Sequence, residues 1–196
     1  MRTALRPAAV LLIVLTAITG VIYPLVVTGL ANLLFARQAH GSLIVRGGHA
    51  VASELIGQAF TDPRDFWSRP SATSRVADDA LLSTGSNLGP LNPALIGAVR
   101  GRIAVLRAVD SSAGDTVPSD LVTSSASGLD PHISPAAAEY QVARVARARA
   151  LDPERVRSLV LRSIEPPTLG VLGEARVNVV RLNLALDELT AGAAGR

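Results

Sequence analysis

The hydrophobic pattern separates a long apolar segment near the N-terminus from a mixed remainder. Residues 7–36 contain no charged side chain. An α-helix rises about 1.5 Å per residue, so roughly 20 apolar residues cross a hydrocarbon core of about 30 Å. The segment therefore predicts one transmembrane helix, with the anchor covering residues 1–36. Gly20 and Pro24 predict a bend or a local loosening in mid-span.

Two other interpretations of this segment compete with an anchor. A cleaved signal peptide would also begin with Arg2 and Arg6 and continue with an apolar region, and Gly29 and Ala31 have the spacing of a small-x-small cleavage site. The apolar region is longer than usual for such a peptide and continues past that point. A buried helix of a soluble protein rarely runs so far without a charge. The anchor is the favoured prediction.

The remainder predicts a single domain of the α/β (α+β) class, in which short strands are mixed with several helices. Its bounds are residues 37–190, followed by a frayed C-terminal tail at 191–196. Residues 41–45 predict a strand that ends in a tight turn at Gly47 and Gly48. Residues 49–60 fit either a return strand or a short helix.

Helix starts are marked by a capping residue followed by proline. Such pairs satisfy the first backbone N–H groups and fix the first helical φ angle. They stand at Asn92-Pro93, Ser134-Pro135 and Asp152-Pro153. The second helix is expected to run to about residue 150, and the third to end at Pro166-Pro167. A fourth helix is predicted from the spacing of Val179, Leu182, Leu186 and Leu189.

Composition excludes several kinds of chemistry. The chain has no cysteine, which removes disulfides and thiolate metal sites, and all nineteen basic residues are arginine, which removes Schiff-base lysines. The net charge is +3 and no basic patch is interleaved with aromatic residues, so nucleic-acid binding is not expected. Arg2 and Arg6 before the span favour a cytoplasmic N-terminus, with the domain on the outer side.

Polar side chains are densest at residues 124–132, directly before the second helix. A helix N-terminus suits anion binding, but the same residues fit a loop that caps its own helix. Ser127, Asp130 and His132 have the residue types of a serine hydrolase without the G-x-S-x-G motif. The three histidines lack the spacing of metal ligands, so no metal site is expected. The domain is therefore predicted to have no catalytic site. A membrane-anchored solute-binding or sensor domain stays an alternative, and a serine hydrolase is a weaker one.

Several stretches of the chain together resemble one family. They are Tyr23-Pro24 in the apolar segment, GSLI at 41–44, SELIGQ at 53–58, FWSRPS at 66–71, SNLGPLN at 86–92, DLVT at 120–123, SGLDPHISP at 127–135, QVARVA at 141–146, RVNV at 176–179 and LNLALD at 182–187. In this order they resemble the C subunit (KdpC family) of the Kdp-type high-affinity potassium-transporting ATPase. Ser125-Ala126 departs from the alternation of small residues and glycine that is commoner there.

The resemblance implies a non-catalytic accessory subunit of an ATP-driven potassium uptake pump. It implies a single-pass protein of the bacterial inner (plasma) membrane, with an extracytoplasmic domain. The implied partners are a channel-like potassium-binding membrane subunit, a P-type ATPase subunit and the lipid bilayer.

The resemblance also implies a catalytic chaperone that raises the ATP affinity of the ATPase subunit. ATP is then the expected ligand, acting through the complex, and the residues expected to contact it are Ser127, Gly128, His132, Gln141 and Arg144. Since ATP is cytoplasmic and the domain is expected outside, the structural role is favoured over direct nucleotide contact.

Overall fold

The chain divides into two compact units, residues 1–43 and residues 44–196. The structure, a computed structural model, describes residues 2–111, 114 and 116–194. The first unit contains α1 (Arg2–Ala17), a π-helical turn (Ile18–Ile22), α2 (Tyr23–Leu34) and the short α3 (Ala36–Ala39). Within it, Ala4–Leu34 is long and apolar enough to cross a membrane.

The apolar helix is loosened where the sequence predicts it. Pro24 has no backbone N–H, so the α-helical hydrogen bond to the carbonyl four residues earlier cannot form. The π-helical turn lies directly before this proline and includes Gly20, and the Tyr23 N–H donates to the carbonyl of Ile18. The loosening predicted at these two residues is confirmed.

After α3 the chain forms a two-stranded hairpin. Strands β1 (Leu43–Arg46) and β2 (His49–Ser53) are paired. Gly47 and Gly48 connect them with φ angles of +56° and +81°, the left-handed values that a two-residue hairpin turn requires. Of the two alternatives left open after this turn, the structure contains the return strand.

The domain contains a three-stranded antiparallel sheet. Its strands are β3 (His132–Ile133), β4 (Ile164–Glu165) and β5 (Arg176–Asn178), in the order β3-β5-β4. His132 is opposite Asn178, and Glu165 is opposite Arg176. The side chains of His132 and Glu165 are therefore held by the strands on either side of β5.

The helices of the domain begin at the predicted caps. They are α4 (Pro93–Val109), a 3₁₀ turn (Ser119–Leu121), α5 (Pro135–Ala148), α6 (Pro153–Arg162) and α7 (Val179–Ala194). The side chains of Asn92, Ser134 and Asp152 each accept a hydrogen bond from a backbone N–H in the first turn that follows. The three predicted helix starts are confirmed.

Two helix ends differ from the expectation. α6 ends at Arg162 rather than at Pro166, because the next residues, Ile164 and Glu165, pair with β5. α7 continues to Ala194, into the segment predicted to fray, and residues 195–196 lie outside the described residues.

The core is built mainly from aliphatic residues, and aromatic residues make up only 3% of the chain. α5 packs on α6, and both β5 and α7 complete the enclosure. The fully buried side chains include Phe66, Val142, Val145, Val156, Val160, Val177, Leu182 and Leu186. α4 differs from α5, since Leu106 is its only buried residue.

Candidate functional site

The five residues expected to contact nucleotide fall into two groups. Ser127 and Gly128 lie in the loop before β3, and His132 is the first residue of β3. Gln141 and Arg144 lie on α5. Gln141 is 1% exposed and Arg144 is 4% exposed. Their i, i+3 spacing places both on one face of α5, and polar side chains of a surface helix usually face the solvent. The structure buries both of them instead.

Gln141 uses its side-chain amide to hold the backbone of Trp67. Its Oε1 accepts from the Trp67 N–H at 2.8 Å, and its Nε2 donates to the Trp67 carbonyl at 3.2 Å. Nε2 also donates to the carbonyl of Ala137 at 3.1 Å. A buried amide needs such partners because an unpaired polar group costs free energy in the core. Both ends of this side chain are bonded within the domain.

Arg144 is bonded to the same part of the chain. Its Nη1 donates to the Pro63 carbonyl at 2.5 Å and its Nη2 donates to Gln141 Oε1 at 2.6 Å. Its Cζ lies 4.7 Å from the centroid of the Trp67 ring, a cation–π arrangement. Burial lowers the pKa of Arg144 to about 10, against the opposing charges of nearby aspartates. The guanidinium is therefore charged at neutral pH.

The backbone of the loop before α5 is hydrogen-bonded to other loops. Gly128 has φ +68°, and its carbonyl accepts from Ser71 Oγ at 2.7 Å. A Cβ at this position would collide with the Thr84 carbonyl. The Ser127 carbonyl accepts from the Thr84 N–H at 2.9 Å. The close approach of these backbones explains why glycine stands at residue 128.

His132 belongs to a chain of charged groups beside the three-stranded sheet. Its Nδ1 lies 3.0 Å from Asp130 Oδ1, and its Nε2 lies 3.9 Å from Glu165 Oε2. Asp130 Oδ2 in turn lies 3.4 Å from Arg69 Nη1. Burial raises the pKa of Asp130, but the hydrogen bonds and charge of His132, with the charge of Arg69, outweigh this and leave that pKa below its ordinary value.

These charged groups line a polar cavity of about 430 Å³. Besides Arg69, Asp130 and His132, it is bordered by Ser119, Asp120, Ser134, Glu174 and Arg176. Two of its side chains are engaged with each other, since Asp120 Oδ1 accepts from Ser134 Oγ at 3.2 Å. Of the five residues predicted to contact nucleotide, His132 is the one that borders this cavity. The assignment of all five to a nucleotide stays a prediction.

The residue types of a serine hydrolase do not assemble into a triad here. Ser127 Oγ accepts from the Leu129 N–H at 3.2 Å and lies 3.4 Å from Ser125 Oγ. Within the described part of the chain, no hydrogen bond joins Ser127 to His132. Among residues 2–111, 114 and 116–194, no group of three or more His, Asp or Glu side chains is placed to hold a metal ion.

A second cavity, of about 410 Å³, lies between α4 and the segment 59–78, and the sequence patterns do not predict it. Its apolar lining includes Phe60, Trp67, Pro70, Val105 and Leu121, and its polar lining includes Arg69, Asp78 and Arg102. The one available signal is the pairing of the only tryptophan with Phe66 and Arg69, which fits a contact site but favours a loop packed on a small core.

The fold and its polar groups define a class of protein: one N-terminal apolar helix followed by a small α+β domain whose buried polar side chains hold irregular segments together. Residues 5–188 match the family described as "KdpC: K+-transporting ATPase, c chain". The chain therefore belongs to the KdpC family, and the resemblance found in the sequence is confirmed.

Individual relatives agree with this assignment. A "Potassium-transporting ATPase KdpC subunit" from Polaromonas naphthalenivorans is 65% identical over 189 residues, which cover 96% of each chain. The protein of that name from Variovorax paradoxus is 60% identical over 187 residues, covering 95% of this chain and 97% of the relative. The one from Dechloromonas aromatica is 56% identical over 190 residues, covering 97% and 100%.

Proposed function

We propose that this chain is a non-catalytic accessory subunit of an ATP-driven potassium uptake pump. The observation that carries the proposal is the family match, which extends over residues 5–188. The candidate membrane-spanning helix Ala4–Leu34 supports anchoring in a bilayer beside other subunits. The domain supports a structural role, since Gln141 and Arg144 bind other parts of the domain and Ser127 is not joined to His132.

The proposed partners are a channel-like potassium-binding membrane subunit and a P-type ATPase subunit. The π-helical turn before Pro24 gives the apolar helix a local shape that a neighbouring helix can fit, since helices in lipid associate by close packing. The proposed location is the bacterial inner membrane, with the N-terminus in the cytoplasm and the domain outside.

The proposal also includes the role of a catalytic chaperone that raises the ATP affinity of the P-type subunit. Its support is the resemblance to the family. Direct contact with ATP, at Ser127, Gly128, His132, Gln141 and Arg144, is a finer proposal that needs the domain on the ATP side of the membrane. In the structure, Ser127 and His132 are partly exposed, whereas Gln141 and Arg144 are buried and already bonded.

Co-purification tests the accessory role. The tagged full chain is expressed with the two larger subunits, extracted in mild detergent and purified. The proposal expects all three to elute as one complex with ATPase activity that potassium stimulates. Recovery of the chain alone, together with a fully active complex of the other two subunits, would contradict it.

Sidedness tests whether ATP can be contacted directly. The chain has no cysteine, so the exposed Ala126 can be replaced as Ala126→Cys to give a single labelling site in the loop before α5. A membrane-impermeant maleimide is added to intact spheroplasts and, separately, to lysed ones, with the cysteine-free chain as the control. Labelling in intact spheroplasts is expected. Labelling only after lysis would reverse the orientation and favour direct ATP contact.

A further inference from the structure

The cavity between α4 and the segment 59–78 has the properties of a small-molecule site. Phe60, Trp67 and Pro70 form part of one wall, and Gly101 and Val105 form part of the wall on α4. A volume of about 410 Å³ with mostly apolar lining and a few polar groups is typical of ligand pockets. The exposed position of Gly101 and Val105 leaves α4 without cover on this side.

Arg102 brings an unbalanced positive charge to this cavity. It is partly buried, and its hydrogen bond runs from Nη1 to the Val122 carbonyl at 2.7 Å. A guanidinium carries five N–H donors. Among residues 2–111, 114 and 116–194, no carboxylate lies within ion-pair distance of Arg102. Burial lowers the pKa of Arg102, because no counter-charge offsets the loss of water.

Arg149 is a more deeply buried arginine of the same domain, and it is paired with carboxylates. Its side chain is 5% exposed and lies 2.6 Å from an Asp65 oxygen and 2.7 Å from an Asp187 oxygen. Buried charges are ordinarily paired in this way, since desolvation of a lone charge is costly. Arg102 lacks such a partner within the described residues and borders empty space.

Arg69 also lines this cavity. Its Nη1 and Nη2 bind Asp130 and the Ser124 carbonyl, but its Nε is buried without a hydrogen-bond partner. Asp78 also lines the cavity, and burial raises the pKa of its carboxyl group. The cavity therefore offers the positive charge of Arg102. Its lining has one carboxyl group, that of Asp78, and burial shifts this group toward the uncharged form, which weakens its repulsion of an anionic ligand.

We infer that this cavity binds a small amphipathic monocarboxylate, whose apolar body packs on Phe60, Trp67 and Val105 and whose carboxylate pairs with Arg102. A neutral apolar ligand would fill the space but leave the guanidinium without a counter-charge. This binding activity goes beyond the proposed function and needs neither the other pump subunits nor ATP.

Trp67 provides a direct readout of occupancy, because it is the only tryptophan of the chain and lines the cavity. The full chain in nonionic detergent is titrated with 4-phenylbutanoate while its tryptophan fluorescence is recorded, and 4-phenylbutanamide serves as the uncharged probe of similar shape. A saturable change is expected with the acid, and binding of the amide about tenfold weaker, the effect of losing one charge-assisted hydrogen bond. No saturable change with the acid, or equal binding of the two probes, would overturn the inference.

Two matched pairs of variants on α4 separate the cavity from the rest of the helix. Arg102→Gln is expected to weaken acid binding about tenfold, whereas Arg100→Gln, at an exposed position that does not line the cavity, leaves it unchanged. A Cβ at either Gly101 or Gly97 meets nothing within 4 Å, and only Gly101 lines the cavity. Gly101→Leu is expected to abolish binding and Gly97→Leu to preserve it.

The glycine pair keeps the test decisive if Arg102→Gln does not fold. A third variant, Asp78→Asn, removes a negative charge from the cavity lining and is expected to tighten acid binding. Equal effects within both matched pairs, with the thermal midpoint of each variant near that of the parent, would place the fluorescence change outside the cavity and refute the site.

Discussion

The side-chain amide of Asn183 makes both backbone hydrogen bonds of Phe66. Its Oδ1 accepts from the Phe66 N–H at 2.8 Å, and its Nδ2 donates to the Phe66 carbonyl at 2.9 Å. Gln141 does the same for the next residue, Trp67. Two amides, from α7 and α5, thus take the place that a neighbouring strand would have. They let a segment without regular structure place the Phe66 ring in the core, where it is 0% exposed.

Replacing Asn183 by leucine is expected to destabilise the domain by about 2–4 kcal/mol. Leucine has a similar size but cannot bond to Phe66, and each buried backbone group left unpaired costs about 1–3 kcal/mol. The measurement is urea unfolding followed by Trp67 fluorescence. Gln58→Leu is the control, because it removes one amide whose bond to the Val51 carbonyl is exposed. A loss of stability no larger than that of the control would contradict the paired-amide account.

Substitution of Gly128 separates a conformational cost from a steric one. Gly128→Ala places a side chain at φ +68° and against the Thr84 carbonyl. Gly170→Ala also acts at a positive φ, +77°, but its Cβ meets nothing within 4 Å. A positive φ alone costs about 1–2 kcal/mol, so Gly170→Ala should show that loss and Gly128→Ala a clearly larger one. Thermal unfolding compares the stability of the two variants. Equal losses of stability would show that residue 128 is not in close contact with the carbonyl of residue 84.

The contacts of Asp130 with Arg69 and His132 predict a loss of stability in acid. Because the native state lowers the pKa of Asp130 below its ordinary value of 3.8, the carboxylate is favoured in the folded protein. The resulting stabilisation is fully present above the pKa that Asp130 has in the unfolded chain. It is lost as the pH falls through the lower pKa that Asp130 has in the folded protein. The midpoint of thermal unfolding, measured between about pH 7 and pH 3, should fall less steeply for Asp130→Asn than for the parent. If the unfolding midpoints of the two proteins fell equally with pH, Asp130 would not be the source of the acid sensitivity.

Local signals in the sequence were enough to predict the helices. Asn92, Ser134 and Asp152 each act as an N-cap followed by proline, and both features depend only on neighbouring residues. The apolar helix and its loosening before Pro24 are local in the same sense. Strands β3, β4 and β5 were missed because two or three residues are too few to show an alternating pattern.

The environment of the candidate site depends on contacts between distant parts of the chain. The i, i+3 spacing placed Gln141 and Arg144 on one helical face, but their burial depends on residues 63–67, more than 70 positions earlier. The resemblance to the family implied that both residues contact a nucleotide, and in the structure both side chains contact Trp67. The Arg102 cavity was missed because its walls come from α4 and from loops that show no periodicity.

We propose that this chain is an accessory subunit of a potassium pump and that it raises the ATP affinity of the P-type subunit. The most direct test reconstitutes the two larger subunits with and without this chain and measures potassium-stimulated ATP hydrolysis over a range of ATP concentrations. The account predicts a lower apparent KM for ATP when the chain is present and loss of potassium-stimulated hydrolysis when it is omitted. An unchanged KM and an unchanged potassium-stimulated rate without the chain would contradict it.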